Sequence, residues 1–389
     1  MNSRESNQHL SLRSQTLQAS KIREIAELGL GNPDVIPLWF GEGAWPSPDI
    51  LISAAVDALQ RGEHFYQPNS GKPGLREEIV RYTSRIYNSD IDVSRVFVSA
   101  SGMQGLALVA QAIVSPGDKA VVLAPGWPNV SQTFEISGAV ITQVNLEVNR
   151  GRWHLDIAHL LRSLTPSTKA VIINSPNNPT GWVMTSEDQA VLLEHCRKHN
   201  IWIVSDDVYS RLYAKDDAAP SFLSLVTGED LFISVNSFSK SWSMTGWRLG
   251  WVIAPSFLEN TLAMLSEFNI AGPAGFIQAA GEIALKSGEE ELAVLRRKLA
   301  ISYGLAATRL EQMSKVNFIE ADGAFYCFFS VDGVSDSMAL AKLILSETGV
   351  GLAPGIAFGA AGEGYLRLCY AQPEAVLEQA FDRLAPFLG

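Results

Sequence analysis

The chain has 389 residues, of which 47% are hydrophobic and 18% are charged, and its net charge is -11 at pH 7. The apolar content excludes a disordered chain, and at roughly 100 to 200 residues per domain the length predicts two domains or more. The acidic balance, with no concentrated run of Lys and Arg, argues against a nucleic-acid partner.

The N-terminus, MNSRESNQHLSLRSQTLQASK, is polar and lacks the apolar core of a signal peptide. No apolar run reaches the roughly 18 residues that span a bilayer, so we expect a soluble, cytoplasmic protein with no membrane partner. Cys196, Cys327 and Cys369 are too few and too widely spaced for a disulfide framework. His195 and His199 would share one helix face, but no acidic third ligand lies nearby, so we predict no metal site.

From residue 95 to about residue 288 the sequence alternates β-branched apolar runs, turn residues and helical stretches. Continuous apolarity indicates strands that are buried on both faces, as in a mostly parallel sheet with helices on either side. Thr185 and Asp188 have the spacing of a helix N-terminus, which predicts a helix from residue 185 to 200. The predicted strands are 96–100, 119–125, 169–176, 201–207, 231–237 and 248–255.

Residues 289–313 read as one long helix, followed by an α+β pattern typical of a smaller domain. The fold class is therefore α/β, with a large domain built on the mostly parallel sheet and a smaller α+β domain. We expect residues 1–45 to join the small domain, residues 46–288 to form the large domain, and residues 289–389 to form the linking helix and the small domain.

Polar residues follow four of the predicted strands. In open α/β sheets ligands bind beyond the carboxyl ends of the strands, so these residues are candidates for one site. They offer hydroxyls, backbone amides, an amide side chain, a carboxylate, a phenol and an amine. The segments are Ser101–Met103, SPNNPTG at 175–181, Asp206–Tyr209 and Ser237–Lys240.

Three motifs, NSPNNPTG, SDDVY and SFSKSWSMTGWRLGW, resemble the fold type I pyridoxal-phosphate aminotransferases of class I/II, which are aspartate aminotransferase-like. The resemblance extends from FGEG at 40–43 to YLRLCYA at 365–371. It implies a pyridoxal 5'-phosphate cofactor and ping-pong transfer of an amino group from an L-amino acid to a 2-oxo acid. It also implies a homodimer with shared active sites.

By this resemblance Lys240 forms an aldimine with the cofactor and then acts as general base and acid. The residues themselves agree, because an amine in a partly desolvated site has a lowered pKa and is partly neutral near pH 7. The alternative is a solvated surface lysine, but the bulky neighbours Trp242, Met244 and Trp247 argue against it.

Asp206 resembles the carboxylate that pairs with the pyridine nitrogen, although a helix cap is its ordinary alternative. We expect the adjacent Asp207 to be a peripheral ion-pair partner. Tyr209 and Asn178 match the residues that hydrogen-bond the phenolic oxygen of the ring. Asn178, and not Asn177, directly precedes Pro-Thr-Gly.

For the cofactor phosphate, the resemblance implies the backbone amides of Ser101, Gly102 and Met103 at a helix N-terminus. Met103 stands where relatives have a hydroxyl, which puts one side-chain contact in doubt. Ser237 and Arg248 match the other phosphate ligands, and a guanidinium can pair with phosphate in bidentate fashion. A rim ion pair is the alternative for Arg248.

Four further residues match family positions by the same resemblance. Trp127 matches the residue that stacks on the ring, with an ordinary core tryptophan as its alternative. Tyr66 matches a tyrosine that reaches the neighbouring subunit's cofactor, with simple packing as its alternative. Arg367 matches the clamp on the substrate α-carboxylate, a planar bidentate task, and Gly41 would approach the same carboxylate closely. Trp45 departs from the family pattern and is expected to reshape the pocket.

The sequence is also compatible with other functions. A pyridoxal-phosphate lyase or cyclising enzyme would use the same residues. Ser237 to Lys240 also fits the S-x-x-K signature of serine acyl-enzymes, with a faint partner element at Lys286-Ser287-Gly288, but the element between them is missing. A non-catalytic regulator would need a further domain. No second arginine can be assigned to a substrate side-chain carboxylate, so aspartate, aromatic and basic amino donors all remain possible.

Overall fold

The structure, a computed structural model, describes residues 9–15 and 17–389. Its helices are α1 Leu12–Gln15, α2 Lys21–Gly29, α3 Asp49–Gln60, α4 Pro73–Tyr87, α5 Gly102–Ile113, α6 Pro128–Ile136, α7 Ile157–Ser163, α8 Ser186–His199, α9 Phe238–Ser241, α10 Glu259–Glu267, α11 Gly275–Ser287, α12 Glu289–Glu311, α13 Ser337–Thr348 and α14 Glu374–Leu388. Its strands are β1 Ile36–Pro37, β2 Val96–Ser99, β3 Lys119–Ala124, β4 Val140–Asn145, β5 Glu147–Asn149, β6 Arg152–His154, β7 Thr168–Asn174, β8 Trp202–Asp206, β9 Phe232–Ser237, β10 Gly250–Ile253, β11 Val316–Asn317, β12 Tyr326–Val331, β13 Val350–Gly351, β14 Ala353–Pro354 and β15 Tyr365–Cys369.

A seven-stranded sheet forms the centre of the molecule, in the order β2-β10-β9-β8-β7-β3-β4. Only β10 runs antiparallel to its neighbours β2 and β9. This arrangement confirms the predicted fold class. The sequence prediction missed the edge strand β4, because its residues are mostly exposed and lack the continuous apolar run used to find the other strands.

Both faces of the central strands are buried, as the continuous apolar runs predicted. Side chains of β3 and β7 alternate between two hydrophobic clusters: Val121 and Ile173 face one, and Val122 and Ile172 face the other. Helices cover both faces, so the carboxyl edge of the parallel strands remains as the open edge at which polar residues collect.

Helix α8 begins as the sequence indicated, since Thr185 Oγ1 accepts a hydrogen bond from the backbone N–H of Asp188 at 3.1 Å. The rings of His195 and His199 lie 4.5 Å apart on this helix. Within residues 9–15 and 17–389 no group of three or more His, Cys, Asp or Glu could hold a metal ion. The three cysteines are buried and free.

The C-terminal part begins with the long helix α12, which confirms the prediction of a single helix there. It contains the sheet β11-β12-β15-β14. The N-terminal segment adds to this part, because β1 pairs in parallel with β13, Ile36 opposite Val350 and Pro37 opposite Gly351. The domain boundaries at residues 45 and 288 stay a prediction. In the described chain, no helix combines the length and apolarity required to cross a membrane.

Close packing at Gly351 generates a stability prediction. A Cβ at this buried position would overlap the indole of Trp39. We expect Gly351→Ala to lower the free energy of unfolding by about 1 to 3 kcal/mol, as overpacking does. Gly304→Ala is the matched control, because Gly304 lies inside helix α12 with open space around it and should be neutral or stabilising by about 0.5 to 1 kcal/mol. Urea unfolding of the two variants measures the difference, and equal midpoints would contradict the packing argument.

Candidate active site

A cavity of about 330 Å³ lies at the carboxyl edge of the parallel strands, where the small domain meets the sheet. It brings together most of the residues predicted from sequence, whereas Ser101 and Tyr66 are not among its lining residues. The predicted residues that line it are Gly41, Gly102, Met103, Trp127, Asn178, Asp206, Tyr209, Ser237, Lys240, Arg248 and Arg367.

Lys240 lies on the short helix α9, directly after strand β9. Its Nζ donates to the carbonyl oxygen of Gly41 at 2.5 Å and lies 6.0 Å from the ring centre of Tyr209 and 5.8 Å from that of Phe325. Burial lowers the pKa of this amine to about 8, and the charges of Arg367 and Arg248 act in the same direction. The amine is therefore partly neutral near pH 7.

Asp206 and Asp207 are adjacent and buried, but their surroundings differ. Asp206 ends strand β8 and accepts a hydrogen bond from the backbone N–H of Val208 at 3.3 Å. Burial raises its pKa to about 7, against the opposing effects of that hydrogen bond and of Lys240. Asp207 accepts hydrogen bonds from Ser205 at 2.6 Å and Ser234 at 2.5 Å. Within the described chain these serines take the place of the ion pair expected for Asp207.

Arg367, on strand β15, is 2% exposed. Its Nη1 donates to Asn178 Oδ1 at 2.8 Å, and its Nη2 donates to the carbonyl oxygen of Trp39. The guanidinium contacts two aromatic rings, 4.4 Å from the centre of Tyr326 and 4.8 Å from that of Phe358. Its Nε is buried with no hydrogen-bond partner in the described structure. Such an orphaned charged donor is costly, and a carboxylate would satisfy it.

Helix α5 begins at Gly102, beside the cavity. Ser101 Oγ accepts a hydrogen bond from the backbone N–H of Gln104 at 3.1 Å, so this hydroxyl caps the helix. The amides of Gly102 and Met103 have no partner within the helix, as is general for its first turn. Arg248 lies nearby in a left-handed conformation, with φ 58°. Free amides, the helix dipole and a guanidinium together fit a phosphate group.

The charge of the cavity also fits an anionic occupant. Its described lining contains a single carboxylate, Asp206, against four cations, Arg23, Lys240, Arg248 and Arg367. A phosphate dianion and a substrate carboxylate would balance this excess, and the half-buried indole of Trp127 supplies a flat wall for an aromatic ring. The residues present therefore fit pyridoxal phosphate together with an amino-acid substrate.

Sequence reasoning missed several lining residues. Ser20, Ile22 and Arg23, at the start of helix α2, also line the cavity, and the exposed Arg23 side chain has no ion pair within the described residues. Tyr326 of strand β12 lines it from the small domain. No local motif marks these positions, because tertiary packing brings them to the sheet edge. For Tyr326, the sequence offered one indication, a single tyrosine in the otherwise mostly apolar strand β12.

A second, mostly apolar cavity of about 610 Å³ adjoins the first, with Lys240 between them. Trp45 lies in this second cavity, under the Lys298 amine at 5.6 Å, and does not line the first. Tyr66 is 92% exposed and does not line the cavity of its own chain. The structure therefore does not bring Tyr66 to the other predicted residues within one chain.

Comparison with known proteins agrees with this geometry. The sequence profile described as aminotransferase class I and II matches residues 35–384. An aspartate aminotransferase of Pyrococcus horikoshii is 32% identical over 371 residues, covering 95% of this chain and 94% of that protein. An aromatic-amino-acid aminotransferase of Thermococcus litoralis is 31% identical, covering 97% and 98%. A Thermus thermophilus aspartate aminotransferase solved with maleate superposes with TM-score 0.90 at 29% identity, covering 97% and 99%.

The lowered pKa of Lys240 predicts its reactivity in the cofactor-free protein. An amine reagent should label Lys240 with a pH midpoint near 8, because only the neutral amine is nucleophilic. In the urea-unfolded protein the same amine should titrate near ~10.4. Labelling of the Lys240 peptide, followed by mass spectrometry from pH 6 to 11, measures both midpoints. A native midpoint above 10 would contradict the proposed effect of burial.

Proposed function

Because the chain belongs to the class I and II aminotransferases, which are pyridoxal-phosphate-dependent transaminases, we propose that Lys240 is its catalytic residue. In this proposal it attaches the cofactor covalently and then carries the proton during ping-pong transfer from an L-amino acid to a 2-oxo acid. The observation that carries the proposal is the single cavity holding Lys240, Asp206 and Arg367.

Bound pyridoxal phosphate supplies an electron-withdrawing ring for the electrons left when the substrate Cα loses its proton. We assign that proton to Nζ of Lys240, whose pKa of about 8 suits both taking and returning it. Asp206 would hold a proton on the ring nitrogen, and a cation there would return this carboxyl to its ionised form. Tyr209 and Asn178 would hold the phenolic oxygen.

We assign the remaining contacts by the same reasoning. The amides of Gly102 and Met103, with Ser237 and Arg248, would bind the phosphate, and Ser101 would act through the helix that it caps. Trp127 would stack on the ring. Those contacts rest on the geometry of the first turn of α5 and on the lining of the cavity.

For the substrate, Arg367 would bind the α-carboxylate, supported by its unpaired Nε, with Gly41 and Asn178 beside it. The carbonyl of Gly41 already accepts a hydrogen bond from Lys240, so its backbone lies close to the reacting amine. No observation favours a lyase or cyclising reaction over amino transfer.

We further propose a homodimer in which Tyr66 of each chain reaches the site of its neighbour. The surface around Tyr66 carries aromatic side chains that are unusually exposed for a lone chain. Phe65 is 73%, Tyr66 92% and Phe268 86% exposed. A cytoplasmic location stays a prediction from the polar N-terminus.

The amino donor that we propose is a dicarboxylate. Arg248 and Arg367 are assigned to the phosphate and the α-carboxylate, which leaves Arg23 as a third guanidinium at the cavity with no ion pair in the described chain. A second substrate carboxylate would supply its partner. Relatives named aspartate aminotransferase, and one solved with maleate, agree with this choice.

Replacing Lys240 tests the catalytic assignment. We expect Lys240→Ala to lose at least ~10²- to 10⁴-fold in the rate of 2-oxo acid formation, the contribution typical of a positioned acid and base. Borohydride should fix a pyridoxyl group on the Lys240 peptide of the wild-type protein and none there in the variant. Lys286→Ala, on an exposed lysine, is the control and should keep full activity. Near-normal transamination by Lys240→Ala would refute the assignment.

Replacing Arg23 tests the donor class. We expect Arg23→Gln to lower kcat/KM for aspartate by about 10- to 100-fold, the loss of one charge-assisted hydrogen bond, and to change kcat/KM for phenylalanine less than about threefold. Lys21→Gln, on the same helix but outside the cavity, is the matched control. Equal losses for both donors, or none for aspartate, would overturn the proposed dicarboxylate preference.

A further inference from the structure

We propose that Tyr326 is a positioning residue for amino transfer. Its ring fixes the guanidinium of Arg367, and its hydroxyl orients the hydroxyl of Tyr209. This inference rests on the roles proposed above for Arg367 and Tyr209, and it concerns a residue that no motif singled out. Tyr326 is fully buried and lines the cavity from strand β12 of the small domain.

The ring of Tyr326 contacts Arg367 across neighbouring strands. Strands β12 and β15 pair antiparallel, with Tyr326 opposite Cys369 and Phe328 opposite Arg367. Arg367 is two residues from Cys369, the direct partner of Tyr326, so it lies on the same face of the sheet. Its guanidinium is 4.4 Å from the centre of the Tyr326 ring. The guanidinium also lies 4.8 Å from the centre of the Phe358 ring. Contact with two rings restricts the orientation of a guanidinium, as bidentate binding of a carboxylate requires.

The hydroxyl of Tyr326 makes a 2.6 Å hydrogen bond with the hydroxyl of Tyr209. Burial raises the pKa of both phenols, so both keep their protons at neutral pH. One hydroxyl therefore donates to the other, and one proton remains for a further acceptor. When Tyr326 donates, the proton of Tyr209 is available to the phenolic oxygen of the cofactor.

The same hydroxyl lies against Gly41. A Cβ at position 41 would overlap the hydroxyl oxygen of Tyr326, so only glycine fits there. The carbonyl of Gly41 accepts the hydrogen bond from Lys240 Nζ. Tyr326 thus contacts the proposed carboxylate clamp, the proposed phenolic-oxygen donor and the backbone that holds the reacting amine.

This arrangement predicts how the two parts of Tyr326 act. A hydrogen bond donated to the phenolic oxygen withdraws negative charge from it, which favours loss of the proton held at the nitrogen of Lys240. Without the Tyr326 hydroxyl, Tyr209 donates less well, and that nitrogen keeps its proton to higher pH. Without the Tyr326 ring, the guanidinium of Arg367 loses one of the two aromatic rings that it contacts.

The test uses full-length protein loaded with pyridoxal phosphate. For Tyr326→Phe we expect the pH midpoint of the cofactor absorbance to rise by about half to one pH unit, with KM for the amino donor within about twofold. For Tyr326→Leu we expect KM to rise about 10-fold as well, because the ring that holds Arg367 is lost. This difference between the two variants separates the hydroxyl from the ring.

Tyr370→Phe is the matched control. Tyr370 is also buried, and its hydroxyl donates to the carbonyl oxygen of Ala324 at 3.1 Å outside the cavity. It should lose similar stability and leave the absorbance midpoint in place. An unchanged midpoint in a folded, cofactor-loaded Tyr326→Phe protein, or an equal shift in Tyr370→Phe, would overturn the inference. A wild-type protein that shows no titrating cofactor absorbance would instead refute the proposed function.

Discussion

The Lys240 amine has a carbonyl oxygen and aromatic rings as neighbours and forms no salt bridge within the described residues, and the rest of the site depends on these surroundings. An ion-paired lysine would stay protonated far above neutral pH, whereas burial of Lys240 outweighs the opposing charge of Glu42 and lowers the pKa of the amine to about 8. The unpaired amine also adds to the positive charge of the cavity. The same constraint that makes Lys240 nucleophilic therefore selects anionic ligands.

Two adjacent carboxyls show how local hydrogen bonding divides roles that sequence alone cannot separate. Asp207 accepts hydrogen bonds from two serine hydroxyls within the sheet, so both of its carboxylate oxygens have a hydrogen-bond partner. Asp206 faces the cavity with one long backbone hydrogen bond, and burial raises its pKa to about 7. A buried carboxyl with few hydrogen bonds is strongly stabilised in its ionised form by an adjacent cation. Asp206 is thus suited to a protonated ring nitrogen, and Asp207 is suited to holding the strand end.

The sequence predicted the elements whose signal is local. The central strands show continuous apolar runs because both of their faces are buried, and Asp206 and Lys240 lie at the end of one such strand and just after another. Strand β4 was missed because an exposed edge strand carries no such run. Arg23 and Tyr326 were not predicted, since each reaches the cavity through packing between segments far apart in the chain. The ion pair expected for Asp207 was wrong partly for the same reason, because one of its two serine partners, Ser234, comes from the neighbouring strand.

The segment from Ile36 to Gly41 connects the two halves of the site. Its strand β1 is held by β13 of the small domain, and Trp39 packs on Gly351 there. From this anchored backbone, the carbonyl of Trp39 accepts from Arg367 and the carbonyl of Gly41 accepts from Lys240. Two carbonyls two residues apart thus hold both the proposed carboxylate clamp and the reacting amine. An α-amino acid presents its carboxylate and its amine on one carbon, so the spacing of these two carbonyls would set the separation that the proposed substrate matches.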